Sequence, residues 1–103
     1  MPEPFVTHNR TASQFEVSLE GGTAFLTYRI KPGAILFLHA EAPPQLEGRG
    51  LAGKLARAGL DFARQEGLQV VPLCPFVAGY VKRHPEYLDL VREDYRARIS
   101  IAE

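Results

Sequence analysis

The hydrophobic period of the chain changes after Pro43-Pro44, and this change limits the fold more than any other feature. Before it, apolar and polar residues alternate in 14–19, and the stretches 23–30 and 34–42 are rich in apolar residues and bounded by turns, as expected of strands. After it, residues 50–66 repeat their apolar positions every three or four residues, which predicts an amphipathic helix. We therefore expect strands first and then a helix that packs on the sheet they form.

The breaks between these stretches are short and contain glycine. Gly21-Gly22 separates the first two predicted strands, and Lys31-Pro32-Gly33 separates the second from the third. Strands joined by such short turns pair with their neighbours, so the first half of the chain is predicted to be an antiparallel meander.

The second half of the chain continues the pattern. Gly67 stands where a glycine C-cap would end the helix, and residues 69–74 are apolar enough for a fourth strand. A strand–helix–strand order implies a right-handed crossover that makes the third and fourth strands parallel. Residues 76–83 predict a second helix, and 86–91 a further helical turn after Pro85. The predicted fold is a mixed α/β sheet in the order β-β-β-α-β-α, with the meander joined to a parallel strand pair.

Length and charge limit the kind of protein. The 103 residues suit one domain, with 1–12 and 93–103 expected to be loosely held. Twelve basic and twelve acidic residues give no net charge, which argues against nucleic-acid binding, and no apolar run could span a membrane. A single cysteine excludes an internal disulfide and, without an export signal, favours the cytoplasm. Three scattered histidines and one cysteine do not suggest a metal site.

Gly48 and Gly50 precede the predicted long helix, where glycines let an anion approach unpaired backbone N–H groups. Their spacing alone suits a phosphate cradle or a tight turn equally well. Residues 48–53 also match G-x-G-x-x-G, but the segment 72–75 lacks the acidic residue that a dinucleotide fold places on its next strand. NAD binding is therefore disfavoured, and no Gly-Lys-Ser/Thr completes a P-loop.

The segment Gln45-Leu46-Glu47-Gly48-Arg49-Gly50 has the form Q/R-x-x-G-x-G/A and resembles the acetyl-CoA loop of the GNAT superfamily of acetyltransferases. Pro72-Leu73-Cys74-Pro75-Phe76-Val77 and His84-Pro85-Glu86-Tyr87 follow in the order typical of the small, single-domain members. The loop alone is moderately specific, whereas the three segments together are highly specific. The resemblance extends over roughly residues 14–91.

This resemblance implies that the chain binds acetyl-CoA and transfers the acetyl group to a primary amine. The pantetheine arm is expected between the third and fourth strands, and Glu47 departs from the basic residue common in the family. The alternatives are a non-catalytic module that binds CoA or acyl-CoA, and a protein-interaction domain; a monomer or a weak dimer suits each of these. The predicted cofactor-binding residues are Gln45, Leu46, Glu47, Gly48, Arg49, Gly50, Leu51 and Ala52.

Candidate catalytic residues lie near the carboxyl ends of the two strands predicted to be parallel. Strict alternation would place His39 and Glu41 on the same face as Ile35 and Phe37. Histidine titrates near neutral pH, so His39 is a candidate base, with a structural role as its alternative. Glu41 is a second candidate, acting directly, through water or by orienting His39.

Two further residues complete the predicted site. Cys74 could be a buried apolar side chain, part of the acetyl pocket or a transient nucleophile. The family resemblance implies that Tyr80, on the second helix, supplies a phenol as the acid for the departing thiolate.

Overall fold

A computed structural model of the chain describes residues 6–19, 22–44 and 50–96. Five strands form one sheet in which neighbours in sequence are neighbours in space. The first four strands pair antiparallel and the last two pair parallel, so the predicted antiparallel meander and the predicted parallel pair are both present. The strands are β1 Thr7–Asn9, β2 Gln14–Leu19, β3 Gly22–Lys31, β4 Ala34–Glu41 and β5 Gln69–Pro72.

The helices also follow the predicted order. α1 runs over Leu51–Glu66, α2 over Pro75–Arg83, and a 3₁₀ helix over Pro85–Leu90. The sequence prediction placed the fourth strand at 69–74, but β5 ends at Pro72 because Cys74 is already the N-cap of α2. No helix within the described ranges is both long and apolar enough to cross a membrane.

β1 is an addition to the predicted four strands, in a segment that was expected to be loosely held. Three residues are too few for an alternating pattern to be recognised in a sequence. The strand is held by pairing with β2 and by the His8 ring, which stacks on Phe15 with centroids 4.2 Å apart. The phenol of Tyr28 also lies 2.6 Å from His8 Nε2, and burial lowers the pKa of this histidine.

α1 packs on the sheet through an apolar stripe that includes Leu55 and Leu60. Gly67 ends the helix with a left-handed φ of 69°, as predicted, and the following N–H groups bond to the last carbonyls of α1. The sheet face that carries the buried side chains of β2, β3 and β4 is called the inner face below. The core shared by this face and both helices includes Phe15, Val17, Ala24, Leu26, Ile35, Phe37, Leu55, Leu60, Val70, Val77 and Val81.

Hydrogen bonds and an ion pair hold the segment after α2 against α1. Arg64 binds both carboxylate oxygens of Asp89 at 3.1 Å and the carbonyl of Glu86 at 2.9 Å. Tyr87 donates a hydrogen bond of 2.8 Å to Asp61, and burial together with this bond raises the pKa of Tyr87 to about 12. These contacts fix the 3₁₀ helix, and with it the C-terminal end of α2.

α1 approaches the sheet closely at Gly59, which lies over Phe37 and Leu26. A Cβ atom at this position would stand 2.7 Å and 2.9 Å from two carbon atoms of the Phe37 ring. Because Phe37 is fully buried, its ring has no space into which it could withdraw. The absence of a side chain at residue 59 is therefore a condition for the packing of α1.

The substitution Gly59→Ala should lower the free energy of unfolding by about 1–3 kcal/mol, since overpacking outweighs the better helix propensity of alanine. Gly53→Ala in the same helix is the matched control, because its Cβ would lie no closer than 3.7 Å to another residue. The control should raise stability by about 0.5–1 kcal/mol. Urea unfolding of the two variants would contradict the packing argument if both gained stability.

Candidate active site

The pairing between β3 and β4 shifts by one residue in the middle of the two strands. Tyr28 pairs with Phe37, whereas Thr27 pairs with His39, so Leu38 is an extra residue on β4. Such a bulge reverses the faces on which the following side chains lie. Ala40 consequently pairs with the fully buried Leu26 on the inner face.

His39 and Glu41 therefore lie on the outer face, opposite to Ile35 and Phe37. The prediction that all four share one face is wrong, because strict alternation does not hold across the bulge. The two side chains are nevertheless neighbours: His39 Nε2 lies 2.9 Å from Glu41 Oε1. Both are 61% exposed, so the pair is open to solvent and to a ligand.

β4 and β5 separate at the same level as the bulge. Their parallel pairing begins at Ala34 with Gln69 and ends at Phe37 with Pro72. The last link is a hydrogen bond of 2.9 Å from the Cys74 N–H to the Phe37 carbonyl. β4 continues to Glu41 without β5 beside it, so the two strands part here, and we call this point the opening between β4 and β5.

Two exposed leucines mark this opening. Leu38 on β4 is 37% exposed and Leu73 after β5 is 46% exposed. Together with Ile30 they are the only large hydrophobic residues that are exposed in the part of the chain that the structure describes. Scattered apolar residues at a surface are ordinary, but these two directly follow Phe37 and Pro72, the last pair of the two strands, and we call them the apolar entrance.

The N-terminus of α1 begins with a glycine that has no side chain to cap it. Gly50 adopts a left-handed φ of 72°, and the first turn of the helix contains no acidic residue. Leu51 is buried, whereas Ala52 is half-buried. The remaining predicted cofactor residues, Gln45, Leu46, Glu47, Gly48 and Arg49, lie outside the described residues.

Tyr80 lies against the first part of α1. A Cβ atom at Gly53 would stand 3.7 Å from its ring, which places the phenol-bearing side chain one turn from the helix N-terminus. The ring also stacks on His84, with centroids 4.2 Å apart. Tyr80 is half-buried, so its ring is supported by both helices.

Cys74 is only 2% exposed and belongs to the hydrophobic core. It lies at the level where β4 and β5 separate, but its side chain packs among apolar neighbours. Of the three interpretations of this residue, the buried apolar side chain fits this environment best.

Sequence reasoning missed Phe25, Leu38 and Leu73. Phe25 pairs with Glu41 across β3 and β4, and its ring centroid is 6.3 Å from that of His39. Only the register between strands could have connected Phe25 with the site. Within the described ranges, no group of three or more potential metal ligands is found.

The sequence profile of the GCN5-related N-acetyl-transferase family matches residues 14–90. Protein NATD1 of Mus musculus is 39% identical over 89 residues, which cover 82% of this chain and 81% of that protein. Protein NATD1 of Homo sapiens is 39% identical, and the match covers 82% of this chain and 79% of that protein. Protein NATD1 of Danio rerio is 32% identical, and the match covers 84% of this chain and 83% of that protein.

A solution structure of a GCN5-like protein from Staphylococcus aureus has the same fold. It superimposes with a TM-score of 0.68, covering 89% of this chain and 91% of the other. The sequences are 22% identical, so this likeness concerns the fold alone.

The burial of Cys74 predicts a slow reaction with thiol reagents. In the folded protein, labelling of Cys74 by an aromatic disulfide reagent should be at least about tenfold slower than in denaturant, because a buried thiol reacts only after local opening. Stopped-flow absorbance measures both rates. Equal rates would mean that the thiol is accessible, and would return the nucleophile interpretation to consideration.

Proposed function

This chain belongs to the GCN5-related N-acetyl-transferase family, and we propose that it binds acetyl-CoA and transfers the acetyl group to a primary amine. The observation that carries the proposal is the opening between β4 and β5, which has the His39–Glu41 pair beside it. An acyl donor lying in this opening and an amine on the outer face would meet at the bulge.

The start of α1 suits an anionic group such as the CoA diphosphate. A helix N-terminus carries unpaired N–H donors and a partial positive charge. Gly50 leaves those donors uncovered, and no acidic residue of the first turn repels an anion. We assign the diphosphate to the loop 45–49 together with Gly50, Leu51 and Ala52, and the pantetheine arm to the apolar entrance of Leu38 and Leu73.

Acetyl-CoA supplies the acetyl group as a thioester. His39 accepts the proton that the amine loses as its nitrogen bonds to the acyl carbon, and Glu41 orients the imidazole through the 2.9 Å contact. Backbone N–H groups of β4 beyond Phe37, where pairing with β5 has ended, are available to polarise the acyl oxygen. Tyr80 donates a proton to the sulfur as the carbon–sulfur bond breaks.

The alternative functions differ in what they require of these residues. A non-catalytic module that binds CoA or acyl-CoA needs the loop and the opening but has no use for an exposed His–Glu pair. A protein-interaction domain needs neither. The position of the His39–Glu41 pair beside the opening favours transfer over both alternatives. A free thiol at Cys74 fits a reducing compartment, and we propose the cytoplasm.

The loop assignment predicts that Gly50→Ala weakens CoA binding about tenfold, because a Cβ in this conformation strains the turn that presents the N–H groups. Gly67→Ala is the matched control. Gly67 has nearly the same φ at the other end of α1, 69° against 72°, and a Cβ at either position meets no atom of the described residues within 4 Å.

In both variants the free energy of unfolding should fall by about 1–2 kcal/mol. Calorimetric titration should nevertheless show weaker CoA binding for Gly50→Ala and unchanged CoA binding for Gly67→Ala. Equal affinities for CoA in the two variants would contradict the loop assignment. If neither CoA nor acetyl-CoA raises the melting temperature of the unaltered protein at millimolar concentration, both CoA-dependent functions fail and the interaction domain remains.

The catalytic assignment predicts that His39→Gln lowers the rate of thiol release from acetyl-CoA by about a hundredfold or more at unchanged CoA affinity. Glu41→Gln should have a smaller effect, of about tenfold, because it only orients the base. The rate is followed with a thiol reagent over a panel of alkylamines, polyamines and lysine peptides.

Glu86→Gln is the control for the loss of an exposed carboxylate beside a histidine. Glu86 lies 3.8 Å from His84 Nδ1, and the two residues have the same sequence spacing as Glu41 and His39. This control should keep the full rate. Tight acetyl-CoA binding without amine-dependent thiol release would instead identify the non-catalytic module.

A further inference from the structure

The pairing register aligns one residue from each of β2, β3 and β4 in a row across the outer face. Glu16 pairs with Phe25, and Phe25 pairs with Glu41. Directly opposite residues of paired strands point to the same face. Since adjacent strands lie about 4.8 Å apart, the two carboxylate-bearing residues are separated by about 10 Å.

Glu16 is held in place by neutral partners. Its Oε2 accepts hydrogen bonds from Asn9 Nδ2 at 2.9 Å and from Gln14 Nε2 at 2.5 Å. No lysine or arginine among residues 6–19, 22–44 and 50–96 forms an ion pair with it. The carboxylate is thus oriented in advance, which lowers the entropic cost of binding a cation, and its charge is not neutralised by a cation of the described chain.

Phe25 connects the two carboxylates. Its side chain is half-buried, and the residue lies between Glu16 on one neighbouring strand and Glu41 on the other. An aromatic ring attracts an ammonium group and also packs well against a hydrocarbon chain. The row therefore combines an anionic group, an aromatic surface and the carboxylate of the His39–Glu41 pair.

Charge is separated along the outer face. Alternation on β3 places Arg29 and Lys31 on the same face as Phe25, and both are exposed. They lie toward the amino end of β4, where Arg29 pairs with Leu36, whereas Glu16 and Glu41 lie toward its carboxyl end. A molecule with two positive charges is thus attracted to the end where the site lies.

We propose that Glu16 determines the choice of acceptor by binding a second cationic group on it. The amine to be acetylated lies at His39 and Glu41, the connecting chain crosses Phe25, and the second cation lies at Glu16. The inference rests on the proposed function, and it assigns as acceptors primary aliphatic amines with another ammonium or guanidinium group about 10 Å away. Diamines and polyamines have this chemistry, and so do lysine side chains with a basic neighbour.

The experiment compares hexamethylenediamine with hexylamine, which has the same carbon chain and one amine. For the unaltered protein, kcat/KM should be about fivefold higher for the diamine, which is the upper size expected of one exposed charge contact, since both amines make the same contact with Phe25. Glu16→Gln should bring this ratio close to one, and Glu16→Lys should bring it below one. Glu66→Gln, an exposed carboxylate on α1, controls for net charge and should leave the ratio unchanged.

Binding gives a second measurement that does not depend on turnover. Titration of the full chain with hexamethylenediamine in the presence of CoA should move the amide NMR signals of Glu16 and Phe25, and hexylamine should move them less. A peptide whose lysine has a second lysine as neighbour, compared with one that has alanine there, tests whether the second cation can come from a protein. A preference for the dication that disappears in Glu16→Gln supports the proposal for either source.

The outcomes separate this inference from the function on which it rests. If hexylamine and the diamine are acetylated with equal kcat/KM, Glu16 has no role in specificity while the acetyltransferase function stands. If Glu16→Gln keeps the preference for the diamine, the second cation is bound elsewhere and the proposal is wrong. If no amine releases thiol although acetyl-CoA binds, the proposed function and the inference fail together.

Discussion

The arrangement of the candidate site depends on the one-residue bulge at Leu38. Before it, β4 directs Ile35 and Phe37 into the core; after it, the inward positions pass to Ala40, and His39 and Glu41 face solvent. Without the bulge, strict alternation would direct a histidine and a glutamate to the inner face, where unpaired polar groups are costly. A single extra residue thus lets one strand supply the core at one end and a polar pair at the other.

Phe37 fixes the position of this bulge. Its ring is held under Gly59, where no side chain separates α1 from the sheet, and its carbonyl accepts the last hydrogen bond from the chain that follows β5. The residue before the bulge is therefore fixed on two sides, by packing and by a backbone contact. From this fixed point β4 diverges from β5, so the opening and the change of face have one structural origin.

Much of the fold could be predicted from the sequence, because the alternation of 14–19 and the helical period of 50–66 extend over enough residues to be recognised. The faces of the sheet on which the residues of β4 lie could not be predicted. Residues 34–38 are all apolar, so they contain no alternation from which the faces of His39 and Glu41 could be determined. β1 was missed for a related reason, since a three-residue strand depends on the contact between His8 and Phe15, which is not visible in the linear order. The predicted neighbours His39 and Glu41 do meet, because residues two apart on a strand lie on the same face wherever that face points.

The zero net charge of the chain shows how far composition can mislead about a surface. Twelve basic and twelve acidic residues cancel in the sum, and the linear order contains no acidic tract. Strand register nevertheless places Glu16 and Glu41, distant in sequence, on either side of Phe25, and it moves Arg29 and Lys31 to the other end of the same face. A charge pattern of this kind is a property of the pairing between strands. Because both helices cover the inner face, the outer face is the side of the sheet on which such a pattern can meet a ligand.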